Sequence, residues 1–272
     1  MNPHLPARFG RATIALAAAG LLLVGSFASV DAASPVAGSS SNSTTASAVH
    51  HFCVPEWTAA VAQPRIDRLR TVGDCEINRR FVTLDTLTRL VNGSDVLTSE
   101  HKVDLRDVNS TNPASFAAER TGLTALKASI DSDTTAAALR SDIAKIAPDY
   151  RVYLLVVPKT HLVVASDAAE KASARLGTLG TDLQNLINLA KADGRDVTKA
   201  QAALDEMNAD VAQASGLLAP VAGTILPLSP SDWNNGTAGP ALTAARATIH
   251  QSRTLLVDAR QDAFRVIGLL GS

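Results

Sequence analysis

The chain has 272 residues, of which 46% are hydrophobic, 4% aromatic and 19% charged, and its formal net charge is −1 at pH 7. A near-neutral chain lacks the excess of positive charge that binding to nucleic acid or to an acidic membrane surface requires, which excludes both partner classes. The length allows one or two domains.

Residues 1–32 have the pattern of a secretory signal peptide. Arg8 and Arg11 precede an apolar stretch from Ile14 to Val24, and small residues near Ala32 suit cleavage after it. The apolar stretch is shorter than the roughly 20 residues that a membrane span needs. Export with cleavage is the simpler interpretation, and an uncleaved N-terminal anchor is the alternative.

Residues 33–50 are rich in Ser, Thr and Ala and contain almost no large apolar side chain. Such a segment buries too little surface to offset the entropy of ordering, so we predict a disordered spacer. The remaining residues, 51–272, are long enough to form a helical-bundle domain with a large core.

The chain has two cysteines, Cys53 and Cys75. Two thiols that can meet in an oxidising compartment usually pair, so we predict a disulfide; two free buried thiols are the alternative. Pairing requires the chain before Pro64 to fold back along the first helix, and proline permits such a reversal.

Helical periodicity begins at Ile66 and predicts a first helix that ends at Asn92-Gly93. Thr98 or Ser99 is predicted to cap a second helix, which residues 109–113 interrupt. The apolar face resumes at residues 116–130. Asp133 is then predicted to cap a short helix over 134–147.

Residues 150–158 break the helical pattern because they are rich in β-branched and aromatic side chains and end in Pro158. We favour extended backbone that crosses the bundle, with Pro158 opening the next helix. A buried helical turn broken at Val157 is the alternative.

The second half repeats apolar residues every seven positions, which predicts long helices packed nearly parallel to one another. Gly194 at the end of one helix and Asp196 as the N-cap of the next predict a helical hairpin, and residues 227–240 predict a long loop. The fold predicted is all-α: an elongated bundle of about five to six long antiparallel helices with coiled-coil-like packing. Two three-helix halves that meet near 148–158 are one form of it. The seven-residue repeats comprise Leu162, Ala169, Leu176, Leu183 and Ala190, then Val197, Leu204, Val211, Leu218 and Ile225.

The run of residues 122–131, GLTALKASID, together with Tyr150-Arg-Val-Tyr153 and Pro158-Lys159, is similar to a family of exported α-helical proteins of unknown function from actinobacteria and related bacteria. The resemblance covers roughly residues 64 to 270. It implies an exported location and a helical fold, and it carries no activity or functional residue. Residues 109–113 look like an insertion relative to the family pattern.

His50, His51 and Cys53 are close enough in sequence to bind a soft or borderline metal ion. They stand at the end of the predicted spacer, and Cys53 is assigned to the disulfide, so we predict no metal site. Motifs for a nucleophile elbow, a zinc hydrolase or a phosphate loop do not occur. We therefore expect no enzyme and no cofactor.

The candidate binding residues are Tyr150, Tyr153, Lys159 and Trp233, because aromatic side chains with polar tips mark protein and carbohydrate contacts. Packing of these residues inside the fold is the alternative.

The leading hypothesis is a secreted or cell-envelope-associated protein that binds or scaffolds, with a cell-wall component or another envelope protein as its partner and no membrane span after signal removal. An extracellular carrier or chaperone for an apolar ligand is the second hypothesis, and an enzyme is the third.

Overall fold

The computed structural model of the protein describes Cys53 and residues 64–107 and 112–271. Within these ranges about 83% of the residues are helical and none lies in a strand, which confirms the all-α prediction. The predicted signal peptide, the predicted spacer and the pair His50-His51 lie outside the described residues.

Four helices form the first half of the described chain: α1 (Arg65–Gly93), α2 (Ser99–Arg106), α3 (Phe116–Ser132) and α4 (Ala136–Lys145). Each of the last three begins at an N-cap residue whose hydroxyl accepts a hydrogen bond from the backbone N–H three residues later in the chain. This bond satisfies an N–H group that has no partner within the helix. These caps are Thr98, Ser115 and Thr135. The cap of α4 is therefore Thr135 and not the predicted Asp133.

Helices α1 and α3 are antiparallel. Arg70, near the start of α1, donates to the carbonyl of Asp133 just after α3 at 2.8 Å, while Asp85 further along α1 pairs with Arg120 near the start of α3. Helix α4 folds back against both. The residues fully buried between these helices are Ile77, Leu84, Leu123, Ile130 and Leu139.

The second half begins with a π-helix over Val152–Val156, which continues directly into the long helix α5 (Val157–Ala192). Helix α6 (Thr198–Leu218), two short helices α7 (Val221–Ile225) and α8 (Pro230–Asn234), and the final helix α9 (Ala238–Gly271) follow. Four of the described helices have 21 residues or more.

Helices α5, α6 and α9 pack along their lengths. Gln184 near the end of α5 and Gln201 near the start of α6 exchange two hydrogen bonds of 3.0 Å, so these helices are antiparallel. The carboxylate of Glu206, in the first half of α6, pairs at 2.7 Å with the guanidinium group of Arg265, which lies near the end of α9. Most of the seven-residue positions are buried in this core, including Leu162, Ala169, Leu176, Leu183, Leu204 and Leu218, whereas Val197 and Val211 are half-buried. The core also contains Met207, Ile249, Leu256 and Ala263.

The turn between α5 and α6 has the predicted glycine, but the N-cap of α6 is one residue later than the predicted cap, Asp196. Gly194 adopts φ +79°, a backbone conformation that favours glycine, and closes α5. The Asp196 carboxylate accepts a hydrogen bond of 3.0 Å from the backbone N–H of Thr198 and so caps α6 from one residue before the N-cap position, which is Val197.

The prediction of extended backbone at residues 150–158 is wrong, because this segment forms the π-helix and the first turn of α5, with Pro158 opening α5. Burial of Val152, Leu155 and Val156 outweighs their β propensity. The predicted loop at 227–240 contains α8 and the first turn of α9. The seven-residue run through Ile225 is interrupted at Pro220, which ends α6 and opens α7.

Cys53 and Cys75 are joined by a disulfide with their Cα atoms 5.7 Å apart, which confirms the predicted pairing. Cys75 lies in α1 and is 5% exposed. The bond places residue 53 beside α1.

Candidate functional site

The four candidate binding residues lie in two irregular parts of the described chain. Tyr150, Tyr153 and Lys159 lie in the segment that contains the π-helix, and Trp233 lies in α8. We call these two parts, residues 150–159 and Pro230–Asn234, the junction. They are adjacent in space because Arg151 Nε donates to Asn234 Oδ1 at 2.8 Å, and the amide of Asn234 donates to the carbonyl of Pro148 at 3.0 Å.

Tyr150 and Tyr153 are both partly buried, and each packs against a helix of the first half. The Tyr150 ring is so close to α3 that a Cβ added at Gly122 would lie 2.5 Å from its Cε1 atom. The Tyr153 ring lies beside the guanidinium groups of Arg79 and Arg80, whose carbons are 5.5 and 5.3 Å from the ring centre. These are cation–π distances.

Lys159 is fully buried, at 0% exposure, so it is not the surface contact that its sequence position suggests. Its ammonium group donates three hydrogen bonds: to Asn112 Oδ1 at 2.5 Å, to the Leu228 carbonyl at 2.9 Å and to the Leu226 carbonyl at 3.3 Å. The side chain thus joins α5 to the segment before α3 and to the turn after α7. Buried charges in proteins are usually compensated in this way by hydrogen bonds.

Of the acidic groups that act on the charge of Lys159, Glu119 on α3 has the largest effect. Glu119 is 4% exposed. Its Oε2 atom is buried without a hydrogen-bond partner among the described residues. Burial raises the pKa of Glu119 to about 8, and the positive charge of Lys159 opposes that rise. Burial likewise lowers the pKa of Lys159 to about 7, against the attraction of Glu119 and Asp232.

A pair of buried groups with pKa values moved toward neutrality is typical of functional sites, where burial and a specific charge partner combine. Sequence reasoning did not identify Glu119. The signal was present, because Glu119 occupies the apolar face of α3, in helical register with Phe116 and Leu123.

The backbone at the start of the π-helix is unusual. Arg151 adopts the left-handed conformation, with φ 44° and ψ 32°. Among the described residues other than glycine, only Arg151 has a positive φ. Its carbonyl accepts from the N–H groups of Leu154 and Leu155, at 3.2 and 2.8 Å, at the start of the π-helix. Left-handed backbone at a residue with a Cβ costs about 1–3 kcal/mol, and π-helical turns recur at functional sites.

A second buried polar contact lies away from the junction. His101 of α2 donates from Nδ1 to Asp167 of α5 at 2.7 Å, and Asp167 is 2% exposed. The hydrogen bond to Asp167 raises the pKa of His101. The sequence did not single out His101, because a separation of sixty-six residues gives no reason to pair it with Asp167.

Metal binding has no geometric basis in the described part of the chain, where no group of three or more His, Cys, Asp or Glu side chains is arranged to hold an ion. Of the three residues weighed as metal ligands, Cys53 is in the disulfide, and His50 and His51 lie outside the described residues.

The continuous helical stretch Val152–Ala192 is long and apolar enough to cross a membrane by composition, but 61% of its most apolar window is buried inside the fold. It contains the buried Lys159 and Asp167. A core helix of a bundle passes the same test of length and hydropathy.

Comparison with protein families, with curated proteins and with solved structures found no match for this chain.

Proposed function

We propose that this is a secreted or cell-envelope-associated protein that binds or scaffolds through the junction and carries out no catalysis. Its partner is a cell-wall component or another envelope protein. The supporting observation is the hydrogen bond between Arg151 and Asn234, since it brings together the two irregular segments that contain three of the four Tyr and Trp residues of the chain.

The chemistry of the junction suits a partner surface. Tyr153 and Trp233 are partly exposed. Arg79, which is also partly exposed, lies beside Tyr153, and Arg151 donates a hydrogen bond to Asn234, the residue after Trp233. Tyrosine, tryptophan and arginine are the residue types enriched at the energetically important centres of interfaces. A surface of this kind binds without needing a cavity.

Export is the second part of the proposal. The Cys53–Cys75 disulfide supports it weakly, because disulfides persist in oxidising compartments. The signal-like pattern of residues 1–32 and the resemblance to exported helical proteins point in the same direction. Residues 33–50 would then act as a spacer between the envelope and the bundle.

An elongated, coiled-coil-like bundle is the third part. It is supported by the seven-residue spacing of buried side chains along α5 and by the lengths of α5 and α9, which are 36 and 34 residues. Long packed helices present extended surfaces, which suits scaffolding.

The location is tested by expressing the full chain with a C-terminal tag in its native host and following it into medium, cell-wall and membrane fractions. The proposal is supported if the tagged protein is retained in the wall fraction and is released from it by high salt without detergent or by digestion of the wall. Free release into the medium contradicts an envelope-binding scaffold and favours the alternative hypothesis, an extracellular carrier of an apolar ligand.

A further inference from the structure

A buried amine and a buried carboxamide are in direct contact at the start of α5. Lys159 is 0% exposed and Asn112 is 1% exposed. The Nζ atom of Lys159 lies 2.5 Å from the Oδ1 atom of Asn112. Because a C=O bond is about 1.23 Å long, Nζ lies at most about 3.7 Å from the Cγ atom of Asn112. This upper limit is close to the separation of about 3–3.5 Å from which groups held inside one molecule react.

Two backbone carbonyls set the direction of the Lys159 amine. Its Nζ atom donates to the carbonyls of Leu228 and Leu226 at 2.9 and 3.3 Å. A neutral amine has two N–H donors and one lone pair, so the two carbonyls accept both of its hydrogen bonds. The lone pair is then left for the third neighbour of Nζ, which is the carboxamide of Asn112.

Burial also supplies the reactive form of the amine. The pKa of Lys159 falls from 10.5 to about 7, chiefly because burial penalises the charged ammonium group. About half of the amine is therefore neutral at pH 7, whereas an ordinary lysine is almost entirely charged at that pH. A neutral lysine amine is a nucleophile, and removal from water is one of the ways in which proteins activate it.

The carboxamide of Asn112 is polarised for attack. The backbone N–H of Ala114 donates to Asn112 Oδ1 at 3.0 Å, and Ala114 is 0% exposed. A backbone donor aimed at a carbonyl oxygen in a water-excluded site stabilises the negative charge that develops on the oxygen when a nucleophile adds to the carbon. Pro113 follows Asn112 and has no N–H, so the backbone nitrogen that converts other asparagines to succinimides cannot attack here.

We propose that Lys159 and Asn112 become joined by an intramolecular amide bond, which forms without an enzyme once the chain has folded. The Lys159 nitrogen adds to Cγ of Asn112, the bond between Cγ and Nδ2 breaks, and Nδ2 leaves as ammonia. One proton of the amine passes to the leaving nitrogen. An amine and a carboxamide thus become a secondary amide and ammonia, and the reaction needs no oxidant and no other reactant.

The bond links the two halves of the described chain. Asn112 precedes α3, and Lys159 lies in the first turn of α5. The ring that the bond closes, residues 112–159, contains α3, α4 and the π-helix. A cross-link of this kind stabilises the fold by restricting the unfolded chain. Thiols do not open an amide, in contrast to the disulfide. The bond forms whether or not the junction binds a partner.

Mass spectrometry of the purified full chain, denatured and reduced, tests the bond. We expect a mass that is lower by one ammonia molecule than the mass of the sequence, after allowance for any signal cleavage. A tryptic digest locates the loss, because peptide 107–120 is expected to be joined to peptide 152–171, in which Lys159 is not cleaved. The proposal is overturned if peptides 107–120 and 152–159 are separate and of unchanged mass, both before and after prolonged incubation of the folded protein at neutral pH.

Lys159→Arg and Asn235→Ala are the matched variants. Lys159→Arg keeps a positive charge but has no amine, so its full mass and separate peptides are expected. Asn235 is followed by Gly236, and a succinimide there would also lose one ammonia molecule, so Asn235→Ala is expected to keep the linked peptides. A loss of ammonia that persists in Lys159→Arg, or that disappears in Asn235→Ala, overturns the proposal. The linked peptides of the unmodified chain decide the question even where Lys159→Arg does not fold.

Discussion

The carboxylate of Asp167 on α5 accepts hydrogen bonds from His101 Nδ1 at 2.7 Å and from the backbone N–H of Thr98 at 2.8 Å. Both donors lie at the start of α2, so one buried carboxylate fixes the position of that short helix on the long core helix. The negative charge also lies at the N-terminus of α2, where the helix dipole favours it.

Replacement of His101 by Gln is expected to lower the free energy of unfolding by about 1.5–3 kcal/mol at pH 5.5, the contribution of a hydrogen bond between charged groups. Because Asp167 raises the pKa of His101, the stabilisation is complete below pH 6.5 and is lost as the pH rises through the folded-state value. Urea unfolding at pH 5.5 and 8.5 measures both effects. The exposed His250→Gln is the control, and a larger loss for His101→Gln at pH 8.5 than at pH 5.5 would contradict the pairing.

Gly73→Ala and Gly177→Ala test packing against helix propensity at two glycines inside long helices. A Cβ at Gly73 would lie 3.0 Å from Ile143 Cγ1 and 3.2 Å from Ile130 Cδ1, whereas nothing lies within 4 Å of a Cβ at Gly177. We expect Gly177→Ala to stabilise by about 0.5–1 kcal/mol through backbone entropy. Gly73→Ala is expected to be less stable than Gly177→Ala by at least about 1 kcal/mol, since overpacking costs about 1–3 kcal/mol. Equal melting temperatures would show that α1, α3 and α4 are not closely packed at Gly73.

Removal of the disulfide by the double substitution Cys53→Ser and Cys75→Ser is expected to lower the free energy of unfolding by about 3 kcal/mol, because the bond closes a loop of 22 residues. Urea unfolding of the double variant and of the parent chain, with and without reductant, measures the change. Reductant should lower the stability of the parent chain only. An unchanged parent chain under reductant would contradict the account.

Leu204→Ala tests the core that α5, α6 and α9 share. Leu204 is fully buried, so its truncation is expected to cost about 2–5 kcal/mol. Leu189→Ala on α5 is the matched control, because Leu189 is 62% exposed and its loss should change stability by less than about 0.5 kcal/mol. Thermal unfolding followed by circular dichroism compares the two, and similar midpoints would be evidence against the observed helix register.

The long helices could be predicted from the sequence because burial repeats at a fixed interval. Leu162, Ala169, Leu176 and Leu183 are seven residues apart and all buried. Local turn chemistry likewise predicted the hairpin at Gly194, because positive φ strongly favours glycine. Both signals depend on residues that are near one another in the chain.

The π-helix could not be predicted with the same rules. Val152 and Val156 favour strands by intrinsic propensity, but both are buried one helical turn apart, and tertiary packing decided the outcome. The spacing of Val152, Leu155 and Val156 is compatible with a helix, whereas their composition favours a strand. Arg151, whose backbone is left-handed, donates from its side chain to Asn234 of α8, some eighty residues later in the chain, and no local pattern connects the two.

The candidate site was predicted in part. Tyr153 and Trp233 were identified by residue type, and the structure leaves both partly exposed. Lys159 was identified too, but its burial depends on acceptors at Asn112 and Leu228, which no local pattern connects to it. Glu119 was not predicted, although an acidic residue in helical register with the apolar face of α3 is the signal that identifies it.

Co-sedimentation of the purified chain with purified cell wall of its host measures binding through the junction. We expect Tyr153→Ala and Trp233→Ala each to reduce binding at least about tenfold, the effect of losing about 1.4 kcal/mol at an interface anchor. Phe264→Ala, at an exposed aromatic of α9, is expected to leave binding unchanged. Equal binding by all three variants, or no sedimentation of the unmodified chain, would contradict the claim that the junction is an envelope-binding surface.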